Sequence, residues 1–204
     1  MSGLPQVHPA GKPAHSPPDA RHQSITVNHR LTVFIEQPPE FVRKLYPSAV
    51  WRMDPDERAV YLTFDDGPIP EVTPWVLDLL DKYDIKATFF MVGDNIRKHP
   101  DEFQMVVERG HRIGNHTFNH LRGFEYNFKD YLANAEKANE VMKTDLFRPP
   151  HGHMGWTQYM ILKRRYKIIM WDLVTRDYSK KLRGPQVLAN VMTVSYTHLT
   201  LPTN

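Results

Sequence analysis

The sequence predicts an α/β fold built on a parallel sheet, and three observations lead there. From residue 59 onward, short runs rich in β-branched and aromatic residues alternate with amphipathic stretches. The runs begin roughly two to three dozen residues apart, which leaves room for a crossover helix and is far more than a hairpin needs. Of the 204 residues, 41% are hydrophobic and 24% charged. That is enough for a packed core, and it sets the chain apart from disordered, collagen-like and coiled-coil sequences. No run of ~18 apolar residues occurs, so no membrane-spanning helix is expected.

Taken in order, residues 1–24 hold five Pro, three His and few large apolar side chains. Such a composition buries too little surface to offset its ordering entropy, so residues 1–30 are expected to be a disordered or over-extended head. They contain no basic segment followed by an apolar one, so no export signal is visible and localisation stays open. Leu31–Glu36 (LTVFIE) is the first predicted strand, closed by Pro38-Pro39. Ala59–Phe64 (AVYLTF) is the next, and Thr73-Pro74 then supplies a cap and a first-turn proline for a helix carrying Val76, Leu77, Leu80 and Tyr83 at helical spacing. Ala87–Val92 is a strand, Pro100–Arg109 a helix stopped by Gly110, and His111–Asn115 a short strand. Lys129–Lys143 places Leu132, Ala135, Ala138 and Met142 on one helical stripe. Leu146–Arg148 and Lys167–Trp171 are strands flanking a helix at Trp156–Arg165, and Pro185–Met192 opens a last helix.

The last eleven residues, VSYTHLTLPTN from Val194 to Asn204, carry no charge and do not continue that helix. They resemble the translation of a sequencing-library adapter and are expected to be a non-native tail. The native domain is therefore taken as residues 31–193 and expected to continue past its end here. Five strands plus the one near Leu31 are too few to close a parallel barrel, which favours the same expectation. A chain cut in this way should be poorly soluble and weakly active.

Composition also narrows the function classes. Lys and Arg number 26 against 23 Asp and Glu, a net charge of +3. Lys12, Arg21 and Arg30 lie in the first thirty residues against Asp19 alone, which leaves an excess of one beyond them. A basic nucleic-acid face is therefore not indicated. The chain has no Cys, so a thiol nucleophile, a disulfide framework and a thiolate metal site are excluded. Any metal must be held by His, Asp or Glu.

In parallel α/β architectures the chemistry sits at the C-terminal ends of strands. The 59–64 strand runs into Thr63-Phe64-Asp65-Asp66-Gly67-Pro68. Neighbouring carboxylates on an extended chain point to opposite sides, so one can face a metal and the other the reacting centre. The 111–115 strand runs into Asn115-His116-Thr117-Phe118-Asn119-His120, with two imidazoles four residues apart and able to converge on one ion. Asp66, His116 and His120 together make a two-His, one-carboxylate face with open positions, leaving Asp65 as a general base. The next strand ends in Arg148-Pro149-Pro150-His151-Gly152. Its rigid turn can aim a guanidinium at a carboxylate and present a backbone N–H to a substrate.

These segments resemble the polysaccharide deacetylase family of the NodB-homology, carbohydrate esterase 4 type. The likeness runs through TFDDGP at 63–68, KATFFMVG at 86–93, GHRIGNHTFNH at 110–120, FRPPHG at 147–152, and Trp171 with Asp177-Tyr178. The resemblance implies a distorted (β/α) barrel, here C-terminally truncated, and a hydrolase that removes N-acetyl groups from amino sugars, acetylated polysaccharide or peptidoglycan. It implies a divalent metal, normally zinc, on Asp66, His116 and His120, with Asp65 as base and Arg148 orienting it. The His151 backbone N–H would be the oxyanion donor, and Trp171, Asp177 and Tyr178 would contact substrate. The expected partner is an N-acetylated glycan, and no protein partner is indicated. An O-acetyl esterase or other amidohydrolase on the same metal, or an inactive sugar-binding homologue, remain as alternatives. Three departures stand out. His151 occupies a position that is usually Tyr, Val174 stands where a second acid is usual with Asp172 two residues earlier, and the Leu-x-His motif that supplies the general acid is missing. His111 and His153 are expected to be structural or supporting.

Overall fold

The computed structural model describes residues 38–53, 59–177, 179–189 and 191. The predicted strand at 31–36, the tail from 194 and Tyr178 lie outside them. Five strands, β1 (Thr63–Asp65), β2 (Thr88–Met91), β3 (Arg112–Asn115), β4 (Leu146–Phe147) and β5 (Lys167–Ile168), form one parallel sheet in sequential order. Each is shorter than its sequence pattern. β1 begins only at Thr63, where β2 runs alongside with Thr63 opposite Thr88 and Asp65 opposite Phe90. Beyond β5, Val50 makes a parallel bridge to Ile169, its N–H donating to the Ile168 carbonyl and its own carbonyl accepting from Met170.

Helices α1 (Glu40–Leu45), α2 (Thr73–Lys82), α3 (Gly93–Lys98), α4 (Pro100–Glu108), α5 (Phe128–Met142) and α6 (Trp156–Leu162) make the connections, and residues 184–189 are also helical. α1 and α3 carry no sequence signal of their own, since each is six residues long and neither presents an apolar stripe. Two expectations for α2 need correction. Thr73 does not cap the helix: its hydroxyl accepts from the Ile69 N–H at 2.8 Å, and Val72 holds the cap position. Tyr83 is 61% exposed because it falls past the last turn, whereas Leu77 and Leu80 are buried.

α5 is the longest helix and starts where Asn127 accepts from the N–H groups of Lys129 and Asp130, satisfying two of its orphan donors. It joins two apolar clusters. Tyr131 and Ala135 pack with Phe147, Tyr159, Leu162 and Ile168, while Ala138 and Met142 pack with Leu77, Phe89, Met91 and Val106. Between the clusters the fully buried Asn115, at the end of β3, donates to the Ala135 carbonyl at 2.7 Å. That bond ties the sheet to α5 directly beneath the strand ends. At the opposite end of β3, His111 is buried and its Nδ1 accepts from the Ala87 N–H, so the ring carries its proton on Nε2, which has no partner.

Candidate metal centre

All three expected ligands meet at the C-terminal ends of β1 and β3. Asp66 Oδ1 lies 2.9 Å from His120 Nε2 and 3.4 Å from His116 Nε2, and the ligand atoms all fall within 4.8 Å of one another. Two ligands on a tetrahedral zinc sit about 3.3 Å apart given bond lengths near 2.0–2.1 Å, so the spacing suits such an ion. The buried His116 supplies a second test. Its Nδ1 lies 2.7 Å from the Arg148 carbonyl oxygen, which can only accept. Nδ1 therefore carries a proton, and whenever Nε2 is bare the ring turns a lone pair toward a carboxylate oxygen. Two lone-pair donors face each other there, and a cation between them removes the conflict. Where a proton takes the cation's place on Nε2, hydrogen bonds from the two imidazoles, His116 first, hold the Asp66 carboxyl well below the usual carboxylate range, against the burial that would raise it. Asp66 thus presents an anion across the working pH range.

The backbone is bent to make this arrangement. Asp66 (φ 71°), Thr117 (φ 64°), His120 (φ 54°) and His151 (φ 57°) are in the left-handed region. Each such residue costs of order 1–3 kcal/mol, which the surrounding structure must supply. The support is visible. Asn115 Oδ1 accepts from the Thr117 N–H, Thr117 Oγ1 accepts from the Leu121 N–H, and Asn95 Nδ2 donates to the Asp66 carbonyl.

Arg148 organises the rest. It is 3% exposed. Its Nη1 donates to Asp65 Oδ1 and to Thr63 Oγ1, both at 2.7 Å, its Nη2 to the Met170 carbonyl and its Nε to the Ile169 carbonyl. The guanidinium lies 4.1 Å above the Phe90 ring centroid, a cation–π contact in a dry setting. Phe90 in turn leans across β3 at Gly114, where a Cβ would meet its ring at 2.3 Å. The glycine in the GNHTFNH segment is thus required by packing. Asp65 stands next to the ligand cluster but is not part of it, with Oδ1 bound to Arg148.

The turn after Arg148 presents the third element. Pro150–Gly152 is a 3₁₀ turn in which the Gly152 and His153 N–H groups bond back to Pro149 and Pro150. The His151 N–H donates to no acceptor among the described residues. Burial first, then the neighbouring His120, Arg122 and His153, push the His151 imidazole below its ordinary range. Trp171 closes over this turn, and a Cβ on Gly152 would meet its ring at 2.6 Å.

Asp177 is exposed and accepts from Thr175. Asp172 is committed elsewhere: against the burial that would raise its carboxyl, Arg52 and Arg43 hold it below the usual range through bonds of 2.8–2.9 Å. It therefore anchors the 43–52 segment. Sequence reasoning missed Thr63, Phe90, Asn95 and Asn115 as supports. Only their proximity to strand ends could have marked them. A cleft of about 360 Å³ opens beside Asp66 and His120, lined also by Val92, Asp94, Asn95 and Asn119.

The polysaccharide deacetylase family model matches residues 52–165, more than half of the chain. The chain belongs to that family. A peptidoglycan-N-acetylglucosamine deacetylase of Bacillus cereus is 37% identical over 128 residues, covering 60% of each sequence. A solved peptidoglycan N-acetylglucosamine deacetylase is 31% identical with a TM-score of 0.67, over 75% of this chain and 73% of that one. A carbohydrate esterase 4 pseudoenzyme from Bacillus anthracis is 25% identical with a TM-score of 0.63, over 72% and 54% of the two chains. The fold is thus of the distorted (β/α) barrel type that the resemblance implied. The chain spans 60% of the length of the Bacillus cereus relative.

Proposed function

We propose that this protein hydrolyses N-acetyl amides on the amino sugars of an acetylated glycan, with peptidoglycan or chitin-type oligosaccharides as substrate. One observation carries the reading. A carboxylate, Asp65, gripped by a buried arginine stands beside a three-ligand cluster in which His116 turns Nε2 to Asp66 while its Nδ1 is held by the Arg148 carbonyl. Asp66, His116 and His120 would hold a divalent metal, for which zinc suits the donor set. When bound it supplies a Lewis acid for the acetamide carbonyl and a lowered pKa for water.

The remaining steps fall to the chain's own groups. Asp65 accepts the proton of the attacking water, and Arg148 fixes which carboxylate oxygen turns to it. The unsatisfied His151 N–H is aimed where negative charge develops on the former carbonyl oxygen. Trp171, pressed onto Gly152, walls the space for the acetyl methyl. The departing nitrogen takes up a proton, and Asp65 is where the site stores one. The products are acetate and a free amine, as the name of the Bacillus cereus relative suggests for its own substrate.

Acetate release from N-acetylated chito-oligosaccharides and peptidoglycan is the test, with release abolished by a chelator and restored by zinc. Glycan binding without acetate release across N- and O-acetylated substrates would favour a second reading, a sugar-binding protein. That reading draws on the likeness to the pseudoenzyme.

A further inference from the structure

Resting on the deacetylase reading above, we propose that Phe124 and His153 form a stacking platform for the sugar unit next to the one whose acetamide enters the site. Four rings run outward from the metal cluster without a break. His120 meets His151 edge-on with centroids 4.7 Å apart, His151 lies 5.9 Å from His153, and His153 lies 5.2 Å from Phe124 at 36°. The outer rings face solvent, Phe124 being 65% exposed.

An exposed phenyl ring contributes little to stability, yet its position is tightly built. The Gly123 N–H donates to the His153 carbonyl at 3.1 Å, and a Cβ at Gly123 would lie 2.3 Å from that oxygen. Gln158, only 5% exposed, donates to the carbonyls of Gly123 and Tyr126 and accepts from the Gly155 N–H. Met154 is fully buried between the two turns' anchor points. A buried polar side chain is thus spent on holding the Gly123–Glu125 turn against the His153 strand of chain. The visible result of that investment is two rings in fixed register beside the site.

The occupant follows from chemistry and continuity. A pyranose presents an apolar C–H face and a polar rim, which a ring pair flanked by hydrogen-bonding groups matches. Arg122 and Glu125, exposed and 3.5 Å apart, supply such groups. Because the row starts at His120, whatever lies on it is joined to the group being hydrolysed. That makes it a neighbouring unit of the same glycan, and the preferred substrate an oligomer.

The test compares the intact chain with Phe124→Ala and Phe124→Trp, using N-acetylchitotetraose and the disaccharide. Phe124→Ala should raise KM for the tetraose about five- to tenfold, with a smaller rise for the disaccharide and kcat nearly constant. Phe124→Trp should restore the tetraose value. Calorimetric binding of the tetraose to the Asp65→Asn protein, with and without Phe124→Ala, should weaken by the same factor, and unchanged melting temperatures show that the fold is kept. Equal tetraose affinity with and without Phe124 overturns the platform even if acetate release continues, and so does an absence of tetraose binding. Phe124-dependent binding with no acetate released from any glycan upholds the platform and overturns the hydrolase.

Discussion

The two arms of the metal centre are held by different physics. The His116 arm ends the central strand β3, where Asn115, His116 and Thr117 are 0–2% exposed and packed between α5 and the sheet. The aspartate arm ends the edge strand β1, where the Asp65 and Asp66 side chains are 34% and 60% exposed. Just upstream, Val60 and Tyr61 are 78% and 52% exposed. Packing enforces the first arm. Polar links locate the second, among them Arg148 to Asp65, Asn95 to the Asp66 carbonyl, the Asp66 N–H to the Phe90 carbonyl, and the Val92 N–H to the Gly67 carbonyl. The aspartate arm should therefore tolerate apolar change and suffer from polar change, whereas the buried histidine arm, hydrogen-bonded as well as packed, should suffer from both.

Asp65→Asn gives the largest expected effect. Turnover should drop about 10²–10⁴-fold while metal content, measured by elemental analysis, stays level. Loss of the metal in this variant would show that the two aspartates have exchanged roles. Phe147→Ala, on β4 opposite Asn115 of β3, should cost about 3–5 kcal/mol in urea unfolding, since the ring is fully buried. A cost under ~1 kcal/mol, the value of a lightly packed site, would remove the contrast between the arms. Arg148→Lys replaces a fork by a single ammonium that cannot reach Thr63, Asp65 and two carbonyls at once. It should cost about 1–3 kcal/mol in stability and lower kcat more than it raises KM.

His111 tests the base of the histidine arm by pH. Burial first, then Lys86 and Arg109, hold its imidazole below the ordinary value of 6.5, with Asp81 opposing them. The unfolded chain then binds the proton more readily, so stability is intact above about pH 6.5 and declines as pH falls toward the folded value. His111→Gln should flatten the melting temperature between pH 7 and 5, and an unchanged slope would discharge His111 from that role. Last, Trp75→Gln on the outer face of α2, where the ring is 63% exposed, should change stability by no more than about 0.5 kcal/mol.

Much of this was readable from the sequence, for identifiable reasons. The parallel sheet and α5 follow from apolar periodicity that the burial pattern respects at Ala135, Ala138 and Met142. Asp65, Asp66, His116, His120 and Arg148 follow from residue types at strand ends. What escaped was whatever depends on the main chain. The carbonyls of Ile169 and Met170 that cage Arg148, and the Asp66 carbonyl that recruits Asn95, have no signature in residue identity. α3 escaped because a six-residue helix held by Gly93 and Ile96 has too few turns to show a period. β1 was read too long because an edge strand is defined by its one neighbour and not by its own composition.

Arg148 touches both arms, its side chain on Asp65 and its carbonyl on His116. One residue thus serves as a common datum for the proposed proton acceptor and a candidate metal ligand. Replacing Arg148 would therefore disturb both groups at once, whereas replacing Phe124 on its exposed turn would leave that shared anchor in place.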